Sequence, residues 1–103
     1  MTNDDLLVML KSDLEIITDY MDEEARAAKD AELSVYLTSA QAYIEREGAT
    51  LSLQDVGDCQ LIVMYAAWLY SKRRAETGAD AMPRMLRFNL NNKLFGAQSN
   101  GNG

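Results

Sequence analysis

Residues 61–70 read LIVMYAAWLY, and residues 71–74 continue the chain with SKRR. Every side chain in residues 61–70 is apolar or aromatic, so a helix formed by this stretch would be buried on several sides. The basic residues that follow suit a helix C-terminus, where positive charge offsets the helix dipole. In a chain of 103 residues, such a helix predicts a single domain, with some apolar surface left over for a subunit contact.

The apolar spacing on both sides of this stretch predicts three further helices. The expected fold is therefore an all-α, four-helix domain with two longer central helices and a short C-terminal helix. The four predicted helices are residues 3–10, 27–47, 53–76 and 83–95. Their core stripes are Leu6, Leu7 and Leu10 in the first helix; Leu33, Leu37, Ala40 and Ile44 in the second, widened by Val35, Tyr36 and Tyr43; Val56, Cys59 or Gln60, Ile62, Val63, Ala66, Leu69 and Tyr70 in the third; and Leu86, Leu90 and Leu94 in the fourth, extended by Met82 and Phe95.

Turn and cap residues mark the ends of these helices. Gly48 suits the position just after the second helix, and Ser52 with Asp55 resembles a capping pair for the third. Pro83 is predicted to be the first residue of the fourth helix. Residues 96–103 are rich in Gly and Asn, so we predict a helical domain at residues 1–95 and a disordered tail at residues 96–103.

Several residue types needed for catalysis or cofactor binding are scarce or missing. The chain contains no His and a single Cys, Cys59, which excludes imidazole metal sites, Ser-His-Asp triads and an intrachain disulfide. Asp55, Asp58 and Gln60 surround Cys59 in sequence, so we interpret it as a small buried residue rather than a nucleophile. We therefore predict a protein that is not an enzyme and has no catalytic residues, no cofactor and no metal.

The net charge of −6 is unevenly distributed. Residues 1–60 carry a net charge of −10, and residues 61–103 carry +4. An acidic cluster at residues 19–24 lacks the Gly and the spacing of a calcium loop, so we interpret it as a solvated helix start. The asymmetry predicts two ends of the protein with different electrostatic roles.

A nucleic-acid interface is the alternative interpretation of the basic half. Cations at residues 72–74, 84, 87 and 93 lie near the aromatic residues Tyr65, Trp68 and Tyr70. The link at residues 77–82 is longer than the turn of a helix-turn-helix and contains Asp80. A net acidic chain is also poorly suited to non-specific duplex binding. A small helical DNA-binding or phage regulatory protein is retained as the alternative function.

The chain from Leu6 to Leu94 resembles the phage head–tail connector family, also called head completion or adaptor proteins and often labelled DNA-packaging proteins. The family pattern is an LLxxLK start, a short hydrophobic segment, a helix with AxxYI, a helix ending in YxxxxYxxR, and a final MPxxLxxxLxxL segment. In this chain the corresponding positions are Leu6–Lys11, residues 14–17, Ala40 with Tyr43 and Ile44, Tyr65 with Tyr70 and Arg73, and residues 82–94. No single motif is diagnostic, but their order and spacing cover nearly the whole chain.

The resemblance implies a structural virion protein that forms a ring, with twelve copies expected, and docks on the portal protein after DNA packaging. Such a ring extends the DNA channel without binding DNA specifically, and offers the surface on which a tail or stopper protein assembles. The implied location is the head–tail junction of the virion, and the host cytoplasm during assembly, with no membrane contact. By resemblance, the tail after Phe95 is an arm that orders on the portal.

A ring requires two complementary surfaces on each subunit. We expect acidic residues of the first half to meet basic residues of a neighbouring copy. The candidate partner and oligomer interface residues are Tyr65, Trp68, Leu69, Lys72, Arg73, Arg84, Arg87, Asp22, Glu23 and Glu24.

Overall fold

The computed structural model describes residues 1–74 and 82–102, and within them four α-helices and no strand. The helices are α1 (Asn3–Asp13), α2 (Glu23–Arg46), α3 (Val56–Arg74) and α4 (Arg84–Asn102). The predicted all-α, four-helix fold is confirmed. No helix in the described part of the chain has both the length and the apolar character needed to cross a bilayer.

The central element is α3, which packs against each of the other three helices. This position explains its apolar sequence, because a helix with neighbours on several sides exposes few of its positions to water. α1 also packs against α2, whereas α4 makes its main contacts with α3. The buried hydrophobic residues are Leu6, Leu10, Leu33, Leu37, Ala40, Ile44, Ala49, Cys59, Leu61, Ile62, Val63, Tyr65, Ala66, Leu86 and Leu90.

Caps at two helix ends follow from local sequence. Thr2 forms a capping box with Asp5, in which each side chain accepts the other residue's backbone N–H at the start of α1. Gly48 ends α2 with a φ of 113°, a conformation that favours glycine. Its N–H donates to the Glu45 carbonyl, and the next N–H donates to Ile44, so the exit from α2 is a Schellman motif.

The start of α3 differs from the prediction. The helix begins at Val56 rather than near Leu53, because the carboxylate of Asp55 accepts the backbone N–H of Asp58 and acts as the N-cap. The Ser52 hydroxyl instead accepts from the N–H of Gln54 in the preceding turn. The predicted end of this helix, at residue 76, lies outside the described residues.

Four residues predicted to lie on the buried stripes are exposed instead: Val35 at 62%, Tyr43 at 43%, Val56 at 57% and Phe95 at 64%. Val56 is the first residue of α3, and Phe95 follows Leu94, the last leucine of α4 that packs against the core.

The other helix boundaries also shift. α2 begins at Glu23 rather than residue 27, because the carboxylate of Asp22 accepts the N–H of Ala25 and caps it. Pro83 precedes α4 instead of beginning it, and its carbonyl accepts the N–H of Arg87.

The C-terminal helix is longer than the short helix expected from composition. The backbone of α4 is helical as far as Asn102 over 19 residues, whereas the sequence predicted an end at Phe95. Helical geometry continues because no Pro follows Pro83, and Gly96 has open space around it. Leu94 packs against the core, whereas Phe95 and Gly96 are exposed. The disorder of residues 96–103 in solution stays a prediction.

Candidate interaction surface

A groove of about 810 Å³ lies between α2 and α3. Three of the predicted interface residues, Leu69, Lys72 and Arg73, line it from α3. Lys72 and Arg73 are both exposed, so this part of the surface is basic. The remaining lining residues, all from α2, are Glu32, Val35, Tyr36, Ser39 and Tyr43.

An aromatic stack joins α2 to α3 beside this groove. The ring of Tyr43 stacks on that of Tyr65 with centroids 6.1 Å apart, and Tyr65 meets Trp68 edge-on at 5.5 Å. Cations cover both ends, with Arg46 5.6 Å from the Tyr43 ring and Lys72 5.2 Å from the Trp68 ring. Much of the charge on Lys72 is therefore directed at the protein's own aromatic surface.

The placement of Tyr65 corrects its assignment as a surface contact. Tyr65 is only 7% exposed, and burial raises the pKa of its phenol above the ordinary value, assisted by the negative charge of Glu47. Tyr65 belongs to the interior of the subunit, because the apolar sides of α2 and α3 close over it. Tyr43 is the partly exposed residue of the stack. Trp68 is half-buried, and its indole N–H has no hydrogen-bond partner among the described residues.

The remaining predicted residues lie in two other places. Arg84 and Arg87 are exposed in the first turn of α4. Arg87 lies close enough to Tyr65 of α3 for its charge to act on the phenol. At the other end of the chain, Asp22 caps α2, while Glu23 and Glu24 are exposed in its first turn. Acidic side chains stabilise a helix N-terminus. The positions of Asp22, Glu23 and Glu24 are therefore explained by a solvated start of α2.

An ion pair that the sequence did not reveal holds α4 against α3. Lys93 Nζ lies 3.0 Å from one carboxylate oxygen of Asp58 and 3.2 Å from the other. Asp58 is almost fully buried and also accepts the N–H of Ser52 at 2.9 Å. Lys93, which the sequence grouped with the basic cluster, is thus engaged inside the subunit.

Met85 and Phe88, which the sequence did not single out, are exposed on α4 together with Phe95. Met85, Phe88 and Phe95 lie between 58 and 64% exposed. Their spacing is helical, at steps of about three and seven residues, so they share a face that Leu86 and Leu90 do not occupy. The helical spacing of these three residues is visible in the sequence. The leucines at residues 86, 90 and 94 were enough to predict the helix, so a second apolar face was not predicted.

The described residues contain no group of His, Cys, Asp and Glu arranged to hold a metal ion. Cys59 is fully buried, and its thiol donates to the Leu53 carbonyl at 3.3 Å, as expected for a small core residue. Lys29 has a raised pKa because its ammonium group donates to the carboxylate of Glu32, 2.9 Å away. These features stabilise the fold.

Comparisons with protein-family models, with curated proteins and with solved structures find no match to this chain. The head–tail connector family is therefore a resemblance carried by sequence motifs alone.

Proposed function

We propose that this protein is a structural subunit of a phage head–tail connector, which assembles as a ring on the portal. The observation that carries the proposal is the order and spacing of the motifs from Leu6 to Leu94. Within the fold, these motifs fall in α1, in the second halves of α2 and α3, and in the docked part of α4. The match thus extends over all four helices rather than one local element.

The charge distribution supports a role in assembly. A ring built from one kind of subunit needs two dissimilar, complementary surfaces on each copy. In this chain exposed acidic residues lie on α1, in the link after it and at the start of α2, whereas Arg84 and Arg87 lie at the start of α4. A net charge of −6 also suits a channel wall that must let DNA pass without retaining it.

The proposed partners are further copies of the chain, expected to number twelve in the virion, the portal protein, and a tail or stopper protein. The proposed place is the head–tail junction, reached from the host cytoplasm during assembly. Binding energy from subunit and portal contacts is sufficient for this role, which requires no catalysis and no cofactor.

DNA binding is less well supported by the same surface. Lys93 pairs with Asp58, and Lys72 lies over the ring of Trp68, so two cations of the basic cluster already have partners in the subunit. Duplex binding depends on cations that are free to neutralise phosphates. The exposed arginines that remain are better suited to an acidic protein surface.

The proposal is tested by co-expressing the full chain with the portal protein encoded in the same gene cluster. Capture on an affinity-tagged portal should retain the chain, and electron microscopy should reveal an added ring below the portal that is absent from portal alone. A chain that is not retained, or a gene cluster without a portal gene, would contradict the proposal. Duplex affinity that falls steeply with salt would favour the DNA-binding alternative.

A further inference from the structure

Two exposed apolar surfaces of the protein carry opposite charge. We call the first the α4 face, which consists of Met85, Phe88 and Phe95 with the flanking residues Arg84 and Arg87. α4 contains no acidic residue at any position. Because Lys93 is tied to Asp58 on the side that docks on α3, the two arginines set the charge of the exposed side. The α4 face is therefore apolar and positive.

The second surface, which we call the N-terminal face, comprises α1 and the link from α1 to α2. Its exposed apolar residues are Val8, Ile17 and Tyr20, between 66 and 79% exposed. Residues 1–24 carry a net charge of −7, and the single cation among them, Lys11, forms an ion pair with Asp30. Asp4, Asp13, Glu15 and Asp19 are all exposed in the same segment of the chain. The N-terminal face is therefore apolar and negative.

The conformation of the link fixes how this second surface is presented. Leu14 and Ile16 pack against the core, and Glu15 between them has a φ of 58°, which turns the chain. Arg26 then donates to the carbonyls of Thr18, Asp19 and Met21 and so secures the link. The Arg26 guanidinium therefore binds backbone carbonyls and, among the described residues, forms no ion pair with the carboxylates of the link. Those carboxylates, on Glu15 and Asp19, are exposed to water.

We propose that the occupant of the α4 face is a second copy of this chain, bound through its N-terminal face. The charges of the two surfaces are complementary, which favours this pairing and orients it. A contact between two α4 faces would instead bring Arg84 and Arg87 of both copies together. Because the paired surfaces differ, the contact is head-to-tail, and a pair of copies keeps one free α4 face and one free N-terminal face.

The size of the surfaces sets the strength of the contact. Three exposed apolar side chains on α4 offer about 350 Å² of contact area, below the roughly 800 Å² per partner of a standard stable interface. We therefore expect an association that depends strongly on protein concentration and weakens with salt. The pairing of two copies is argued from the two faces alone. Only the closure of repeated contacts into a ring rests on the proposed function.

The test uses the purified full chain without portal or DNA. Sedimentation velocity is measured from about 10 μM to 1 mM protein, at about 20 mM and 500 mM salt, so that screening of the surface charges can be compared. One variant combines Arg84→Glu with Arg87→Glu; a second combines Asp13→Lys, Glu15→Lys and Asp19→Lys. Circular dichroism confirms that each variant is folded.

The wild-type chain should associate more strongly at low salt, and either reversed variant alone should lose at least tenfold in association constant. An equimolar mixture of the two should regain association, because each reversed surface then meets an oppositely charged one. A charge reversal outside both faces, Arg46→Glu in the last turn of α2, should leave association unchanged.

Four results would overturn the proposal. These are a wild-type chain that stays monomeric throughout, an N-terminal reversal without effect, a mixture that does not recover, and loss of association from the Arg46 reversal. Since no phage component is present, a failure here leaves portal binding, and with it the proposed function, open to its own test.

Discussion

The ion pair between Asp58 of α3 and Lys93 of α4 holds the two helices together, so its contribution to the free energy of unfolding can be measured by mutation. The Asp58 side chain is 7% exposed and that of Lys93 is 29% exposed, with Nζ 3.0 Å from the nearer carboxylate oxygen. At this distance the attraction is about 5 kcal/mol at an effective dielectric constant of about 20. Removal of the carboxylate from water costs several kcal/mol, so much of this attraction is offset.

The two single variants should differ, because they leave different groups behind. Lys93→Met leaves a buried carboxylate with the Ser52 N–H as a remaining partner, and should lower the free energy of unfolding by about 3 kcal/mol. Asp58→Asn should cost about 2 kcal/mol. The new amide can still accept from Ser52, and the freed ammonium group of Lys93 can reach water.

The double variant Asp58→Asn with Lys93→Met distinguishes a coupled pair from two independent residues. Neither charge remains, so the expected cost is about 3 kcal/mol, below the sum of the single variants, with a coupling energy of about 2 kcal/mol. Urea unfolding followed by circular dichroism supplies each free energy. Arg73→Met serves as a control, since loss of one exposed charge from α3 should change stability by less than about 0.5 kcal/mol.

Coupling below about 0.5 kcal/mol would refute the reasoning. Additive costs would mean that the two side chains act independently and that α4 is held by its leucines alone. A control variant as unstable as Lys93→Met would mean that positive charge anywhere on α3 and α4 stabilises the fold, without a specific pair.

Three further predictions follow from single positions. Leu90 is fully buried in α4, so Leu90→Ala should cost about 2–5 kcal/mol in the same urea assay, and a cost below about 1 kcal/mol would show that α4 does not dock. Gly48 has a φ of 113°, so Gly48→Ala should lower stability by about 1–2 kcal/mol despite the open space around it; an unchanged melting temperature would contradict the left-handed turn. Burial raises the pKa of Tyr65, so its contribution to stability is fully present below the ordinary tyrosine pKa of about 10 and is lost as pH rises towards the higher folded-state value. Alkaline unfolding should therefore begin at higher pH in Tyr65→Phe, and an identical onset would indicate that Tyr65 ionises freely in the folded protein.

Local sequence determined the helices and their buried stripes. The residues predicted for the core of α2, Leu33, Leu37, Ala40 and Ile44, are all buried. Gly48 ends that helix as predicted. These features depend on residues three or four positions apart, whose relative placement on a helix follows from its geometry whatever it packs against.

Cap positions were less predictable, since competing residues lay within one turn of each other. Ser52 and Asp55 both have side chains that can cap, and only the folded chain shows that Asp55 caps α3 while Ser52 closes the turn before it. The backbone N–H of Ser52 is then taken by Asp58. Such choices depend on how the loop is held, which local propensity does not specify.

The tertiary structure alone decided which aromatic residues are surface and which are core. Tyr65 and Phe88 both lie within predicted helices, yet Tyr65 on α3 is 7% exposed, whereas Phe88 on α4 is 58% exposed. The pairing of Asp58 with Lys93 likewise joins residues 35 positions apart. Contacts of this kind depend on how helices are placed against one another, so periodicity along one helix identifies its apolar faces but not which of them another helix covers.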